Sequence, residues 1–188
     1  MDKSVPVQVK LESFIPGLYL RALPVFVRDD DLKDSVRRCV IHVAVDNPSN
    51  KATPHKIQYL LETNKLFVNM DKSVPVQVKL ESFIPGLYLR ALPVFVRDDD
   101  LKDSVRRCVI HVAVDNPSNK GYENILDHVI RCKDPAAVYD YNTTSGRYSV
   151  VVPALTLLPC YTRLCAKTSC IGGMNRRPIE VIFTLENE

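Results

Sequence analysis

Residues 1–51 of this chain, from MDKSVPVQVK to DNPSNK, recur letter for letter as residues 70–120, an offset of 69. A solenoid needs about three or more stacked units to bury a shared core. Here two copies stand on either side of one unrelated segment, ATPHKIQYLLETNKLFVN. If both copies encode the same strands of one sandwich, only one fills the slot. The other must swap in, hang free or pair edge to edge. Copies without divergence point to a very recent tandem duplication or to an error in the gene model.

Loop closure hardly chooses between them. Cys165 follows Cys108 by 57 residues and Cys39 by 126, a difference of roughly 0.7 kcal/mol on the logarithmic rule. Context chooses instead, because only the second copy runs on both sides into compatible elements, LLETNKLFVN before it and GYENILDHVIRC after it. The expectation is a surplus duplicate over residues 1–51 and a folded core over 52–188, with its recognisable elements starting near residue 57.

The core reads as all-β. In SVPVQVKLES, Val74, Val76, Val78 and Leu80 alternate with Pro75, Gln77, Lys79 and Glu81, the period of a strand with one buried face. Pro75 suits an edge or a strand start. Pro85-Gly86 forms a turn before the β-rich run LYLRALPVFV. AAVYDYNTTSGRYSVVVP reads as two strands about a turn at 142–146, and RPIEVIFTL as a last strand. DDDLKDSVRRC, with acids first and arginines last, reads as a short helix of one or two turns. Several short strands separated by Pro, Gly and Asn predict a β-sandwich. Hydrophobic residues at 46% and charged residues at 25% suit a folded domain.

A net charge of +3 identifies no partner, since a phosphate-gripping face can coexist with acids elsewhere. The start has no basic segment followed by an apolar one, and no run is long enough to span a bilayer. The expectation is a soluble intracellular protein without a membrane partner. In a reducing compartment the six cysteines (39, 108, 132, 160, 165 and 170) favour metal ligation or plain burial over disulfides.

Cys108 and His111 form a Cys-x2-His pair, and Cys165 and Cys170 a Cys-x4-Cys pair. Together they offer three sulfurs and a nitrogen, the donor set of a closed structural zinc site; the alternative is a set of core cysteines. In GGMNRRP, Gly172 and Gly173 free the backbone for close approach, while Arg176 and Arg177 supply planar donor forks suited to phosphate or a narrow groove. The alternative there is a charged turn before a strand. Asp98, Asp99 and Asp100 fit a solvated helix start better than a metal site. No catalytic motif is present, and no enzymatic activity is expected.

In order, NKLFVNMDKSVPVQV, SVRRCVIH, HVIRC, GRYSVVVP and SCIGGMNRRPIEVIFTLE resemble the DNA-binding core of the p53 tumour-suppressor transcription-factor family. The resemblance covers roughly residues 57–188; residues 1–51 match as the extra copy. It implies an immunoglobulin-like β-sandwich that presents two loops, braced by one structural zinc, to double-stranded DNA response elements. Cys108, His111 and Cys170 fall on the family's zinc ligands, with Cys165 as the fourth. Arg176 falls on the arginine that enters the minor groove; Arg177 and Arg107 fall on arginines that brace the loops. The implied role is a sequence-specific transcription factor core controlling stress-response and apoptotic genes, in the nucleus and also the cytoplasm. The alternative is a zinc-stapled interaction module that binds protein partners.

Three departures accompany the resemblance. The family spaces its last two ligands as Cys-x3-Cys, which leaves Cys160 as a reserve for Cys165. The loop expected to carry a basic major-groove contact falls at the repeat junction, where Lys51 and Lys56 are the stand-ins. The chain also stops at Glu188, where the family continues into a strand and a basic major-groove helix, so the expectation is an incomplete core that does not support the family-type tetramer.

Overall fold

Strands form where apolar alternation is broken by turn chemistry, and eleven of them are described: β1 (Gly17–Leu18), β2 (Val40–Val43), β3 (Gln58–Leu60), β4 (Lys65–Phe67), β5 (Ser73–Lys79), β6 (Leu87–Phe95), β7 (Ile130–Cys132), β8 (Val138–Asn142), β9 (Arg147–Pro153), β10 (Cys160–Leu164) and β11 (Ile179–Asn187). A single-turn helix, α1 (Val109–Val112), lies between β6 and β7. The computed structural model describes residues 17–18, 40–43, 58–60, 65–67, 73–79, 85–154, 160–165 and 170–187. Two antiparallel four-stranded sheets, in the orders β2-β5-β10-β7 and β11-β6-β9-β8, make an all-β architecture with β7 packed near β9, and β1-β4-β3 forms a smaller sheet.

The sheet built on β6 follows the sequence pattern closely. Gly86 takes a φ of 78° to turn the chain into β6, as the Pro85-Gly86 pair predicts. Along β6, Leu87, Leu89, Ala91, Val94 and Phe95 are buried. β11 pairs with β6 from Ile179 opposite Phe95 to Asn187 opposite Leu87. β9 joins the other side only over Tyr88–Ala91, so Pro93 falls where its missing N–H costs no second ladder. On the outer face Arg90 makes a two-point contact with Glu186, at 2.7 and 3.0 Å, and reaches Asp140 at 2.9 Å. The β8–β9 hairpin turns at Gly146, with a φ of 66°, and Gly146 N–H donates to the Asn142 carbonyl at 2.7 Å.

The other sheet contains the consequence of the repeat. β5 pairs with β10 over Ser73–Val76 and with β2 over Val76–Lys79, which places Pro75 where β5 has a single neighbour. β2, from the first copy, is the sequence Val-Ile-His-Val. The same four letters in the second copy, Val109–Val112, form α1. Of the three fates open to a duplicate copy, this segment shows pairing along a sheet edge.

The helix expected across DDDLKDSVRRC is displaced. Asp98–Asp100 form one 3-10 turn without a buried residue, and the α-helix starts only after Cys108. Val105 and Arg107 are buried while Arg106 between them is exposed. That two-residue alternation does not fit a helix, and the backbone of 104–108 is non-helical, with Cys108 extended. Val105 joins Phe95, Val129, Met174 and Ile179 in one apolar cluster.

His128, two residues before β7, is 7% exposed, with its ring edge-on to Tyr139 of β8 and Tyr148 of β9 at 5.1 Å each. Burial pushes its pKa down to about 4, with Asp127 opposing and Arg131 assisting. Between the ordinary value near 6.5 and 4, the unfolded chain binds the proton that the folded chain refuses. Stability is therefore full above pH 6.5 and lost as pH falls through 4, by about 3 kcal/mol. Urea unfolding across this range should show that loss, and His128→Phe should flatten it; an unchanged pH slope in the variant would assign the acid sensitivity elsewhere.

Candidate metal centre and adjoining arginine loop

Four β-branched or imidazole residues form a poor isolated helix, and one turn cannot sustain itself in water. α1 persists because its ends are held. The N–H groups of His111 and Val112 donate to the Cys108 carbonyl at 2.9 and 3.0 Å. At the other end Asn119 Nδ2 donates to the carbonyls of His111 and Ala113 at 2.9 and 2.8 Å, and Asn116 Nδ2 to that of Ile110 at 3.2 Å. These side chains occupy acceptors that a helix end leaves open.

Asn119 is in turn fixed by arginine. Arg107, 2% exposed, donates through Nε to the Cys165 carbonyl at 2.9 Å and through Nη1 to Asn119 Oδ1 at 2.5 Å and the Leu126 carbonyl at 2.9 Å. Its Nη2 reaches Ser118 Oγ at 2.9 Å. One side chain thus joins the residue before Cys108, the polar turn that caps α1, the approach to β7 and the end of β10.

The result is a compact donor set. His111 Nδ1 lies 3.0 Å from Cys108 Sγ and 3.4 Å from Cys170 Sγ, and the three ligand atoms fall within 4.8 Å of one another. Around a tetrahedral zinc, sulfur and nitrogen ligands would stand about 3.5 Å apart, so these residues fit a metal ion of that kind. Burial raises the Cys108 thiol pKa, but the His111 N–H, the Cys170 thiol and the Ile110 N–H outweigh it, leaving the thiol more acidic than usual. A thiolate is the form that ligates. Cys165, also buried, lies outside this three-atom group; its sulfur is 3.9 Å from the Arg163 carbonyl. The side chain of Cys160 and the residues Lys51 and Lys56 lie outside the described residues.

The loop after Cys170 is pressed onto α1. A Cβ at Gly173 would stand 3.0 Å from the Cys108 nitrogen, 3.2 Å from Cys108 Cβ and 3.3 Å from the Arg106 carbonyl. Gly172 has a φ of 76°. Met174, next in sequence, is 1% exposed within the apolar cluster and anchors the loop from below. The chain then takes two left-handed steps, Asn175 at φ 48° and Arg176 at φ 59°, before β11 begins.

Those steps give the two arginines different surroundings. Arg177 pairs with Asp100 at 2.9 Å and Asp103 at 2.6 Å, and its guanidinium lies 3.8 Å from the centre of the Phe95 ring. The bond from Asp100 holds its pKa above the ordinary value; burial opposes this, and the bond from Asp103 adds to it. Arg176 is exposed and, among the described residues, has no hydrogen-bond or ion-pair partner. Sequence reading missed Asn119 and the pairing of Asp100 and Asp103 with Arg177. The Asx-type turn Asn-Pro-Ser-Asn was the available signal for the first; nothing local marked the second.

The match to the p53 DNA-binding domain covers residues 1–62 and again 49–188. The chain is 37% identical over 139 residues to cellular tumor antigen p53 of Xenopus laevis, which is 68% of this chain and 37% of that protein. It is 36% identical over 145 residues to cellular tumor antigen p53 of Ictalurus punctatus, 69% of this chain and 36% of that protein. To the protein of the same name in Oncorhynchus mykiss it is 34% identical over 145 residues, 69% and 34% of the two chains. The chain therefore spans little more than a third of the length of these curated relatives.

Gly173→Ala is expected to force the loop away from Cys108 and lower stability by about 1–2 kcal/mol. Thermal unfolding measures this, and a variant as stable as the parent would show that the contact yields freely.

Proposed function

The chain belongs to the p53 DNA-binding domain family, and from that premise we propose that it is the duplex-binding core of a sequence-specific transcription factor. The observation that carries the reading is the division of labour in the arginine loop. Arg177 is committed to Asp100, Asp103 and Phe95, whereas Arg176 projects outward from a left-handed backbone. An exposed arginine beside a held loop suits insertion into a narrow minor groove, where the phosphates deepen the negative potential. Arg107 and Arg177 are loop-supporting residues on this reading. The implied setting is the nucleus, with a cytoplasmic pool, and control of stress-response and apoptotic genes.

Cys108, His111 and Cys170 would hold one zinc ion, with Cys165 as the fourth ligand. The donor set supports this: all are soft or borderline ligands. Bound zinc would supply a cross-link between α1 and the glycine loop and leave no position for substrate. Residues 52–188 form the functional core on this reading, with residues 1–51 a surplus copy; the sheet β11-β6-β9-β8 supports it, since all its strands fall within residues 87–187.

A second reading draws on exposed apolar residues near the same site. Val109, Ile110, Val114 and Ile171 are 73–84% exposed, a feature suited to a protein partner.

Binding to a family response element should weaken as salt rises, and Arg176→Ala should lower affinity by about 10- to 100-fold while leaving the melting temperature unchanged. Arg177→Ala should lower both. Fluorescence anisotropy with parallel thermal melts separates the two, and affinity indifferent to Arg176→Ala would favour the protein-binding reading. Metal analysis should find one zinc per chain, lost in Cys170→Ser. Chelation should lower the melting temperature; a chain that melts identically with and without chelator would remove zinc from the account.

A further inference from the structure

We propose that the chain holds a small inorganic anion between Arg131 and Arg163, at a site separate from both the metal centre and Arg176. The two arginines are direct cross-strand partners on β7 and β10. Side chains in such pairs share a sheet face, and like charges there repel. Here both guanidiniums also converge on one ring: the Arg131 and Arg163 guanidinium carbons lie 4.5 and 4.7 Å from the centre of Tyr122. The ring contributes a partial negative face to each cation but no full charge.

Arg131 is wholly buried. It donates from Nη1 to the Ser118 carbonyl at 2.8 Å and from Nη2 to Asn119 Oδ1 at 3.0 Å. Its Nε, and that of Arg163, are buried N–H donors without an acceptor. Among the described residues no carboxylate pairs with either arginine. Nearby acids are otherwise disposed: Asp134 accepts from the Ala136 N–H at 2.8 Å, Glu123 is exposed and accepts from the Gly121 N–H at 2.9 Å, and Asp127 acts on His128. Two buried donors on two cations of like sign call for an acceptor that carries negative charge. Water would meet the donors and leave the charge; a chloride or phosphate ion meets both.

Because these Nε atoms are buried, a duplex phosphate cannot reach them, and the ligand is a free ion. Arg163 is only half-buried, so its side chain is the one that swings to admit it. The inference does not rest on DNA or zinc binding, and the Arg163→Met variant keeps Arg176 and the metal ligands intact.

The test is thermal unfolding of the full chain at fixed ionic strength and fixed metal content, with sodium gluconate replaced stepwise by chloride or by millimolar phosphate. A saturable rise of about 5 °C with either ion is expected. Arg163→Met, which keeps a chain over Tyr122 but removes the charge and the donor, should abolish the dependence and melt no lower than the parent in gluconate. No rise with either ion, or the same rise in Arg163→Met, overturns the proposal. Should the variant not fold, chloride-35 line broadening on the parent decides: saturable broadening displaced by phosphate supports the site, and broadening linear in protein and unaffected by phosphate refutes it.

Discussion

The buried guanidinium of Arg107 is the contact on which the arrangement turns. A β-sandwich fixes its strands by ladder and core, but the segments between strands have no such template. Arg107 supplies one by donating to oxygens on three separate stretches, Ser118 to Asn119, Leu126 and Cys165. Through Asn119 it settles where α1 ends, and through Cys165 it settles where β10 ends. Removing one partner of such a network leaves the others buried and unmet, which costs far more than the bond itself contributes.

Above that frame, the loop from Cys170 to Arg177 is shaped by contacts of different kinds acting in sequence. Gly173 permits backbone to approach Cys108 more closely than a methyl group would allow. Met174 plugs the loop into the apolar cluster with Phe95 and Ile179, a burial that contributes on the order of 2 kcal/mol. Arg177 then ties the far end to the 3-10 turn through Asp100. Within this loop Arg176 has no ion-pair partner among the described residues, because Met174 and Arg177 are committed inward and the positive φ of Asn175 and of Arg176 itself turns its side chain away from them.

Much of the strand content was legible from the letters. β5, β6, β8, β9 and β11 each carry an alternation or a β-branched run bounded by turn residues, and the burial of Leu87, Leu89 and Ala91 follows that pattern. The Cys-x2-His pair and Cys170 were likewise recognisable as donors before any geometry placed them within 4.8 Å. The position of α1 was not legible. Val-Ile-His-Val is a strand at 40–43 and a helix at 109–112, so no rule applied to those four letters could have returned both answers. Cys39 and Asn50 flank the first tetrapeptide as Cys108 and Asn119 flank the second, so the difference lies beyond the repeat, in Leu126, Arg131, Cys165 and Cys170, which hold Arg107, Asn119 and His111 and follow only the second copy. Arg131 opposite Arg163 was invisible for a similar reason: strand register brings them together, and the 31 residues between them carry no sign of it.

The strand contributed by the duplicated segment also changes what the sheet presents to other molecules. β2 occupies the hydrogen-bonding side of β5 over Val76–Lys79. A version of the chain lacking the first copy would offer that row of amides and carbonyls as a template, and a stretch reading Val-Gln-Val-Lys, with one lysine as its guard, is a modest deterrent to self-association. At this one place the repeat that overfills the fold acts as a cover against aggregation.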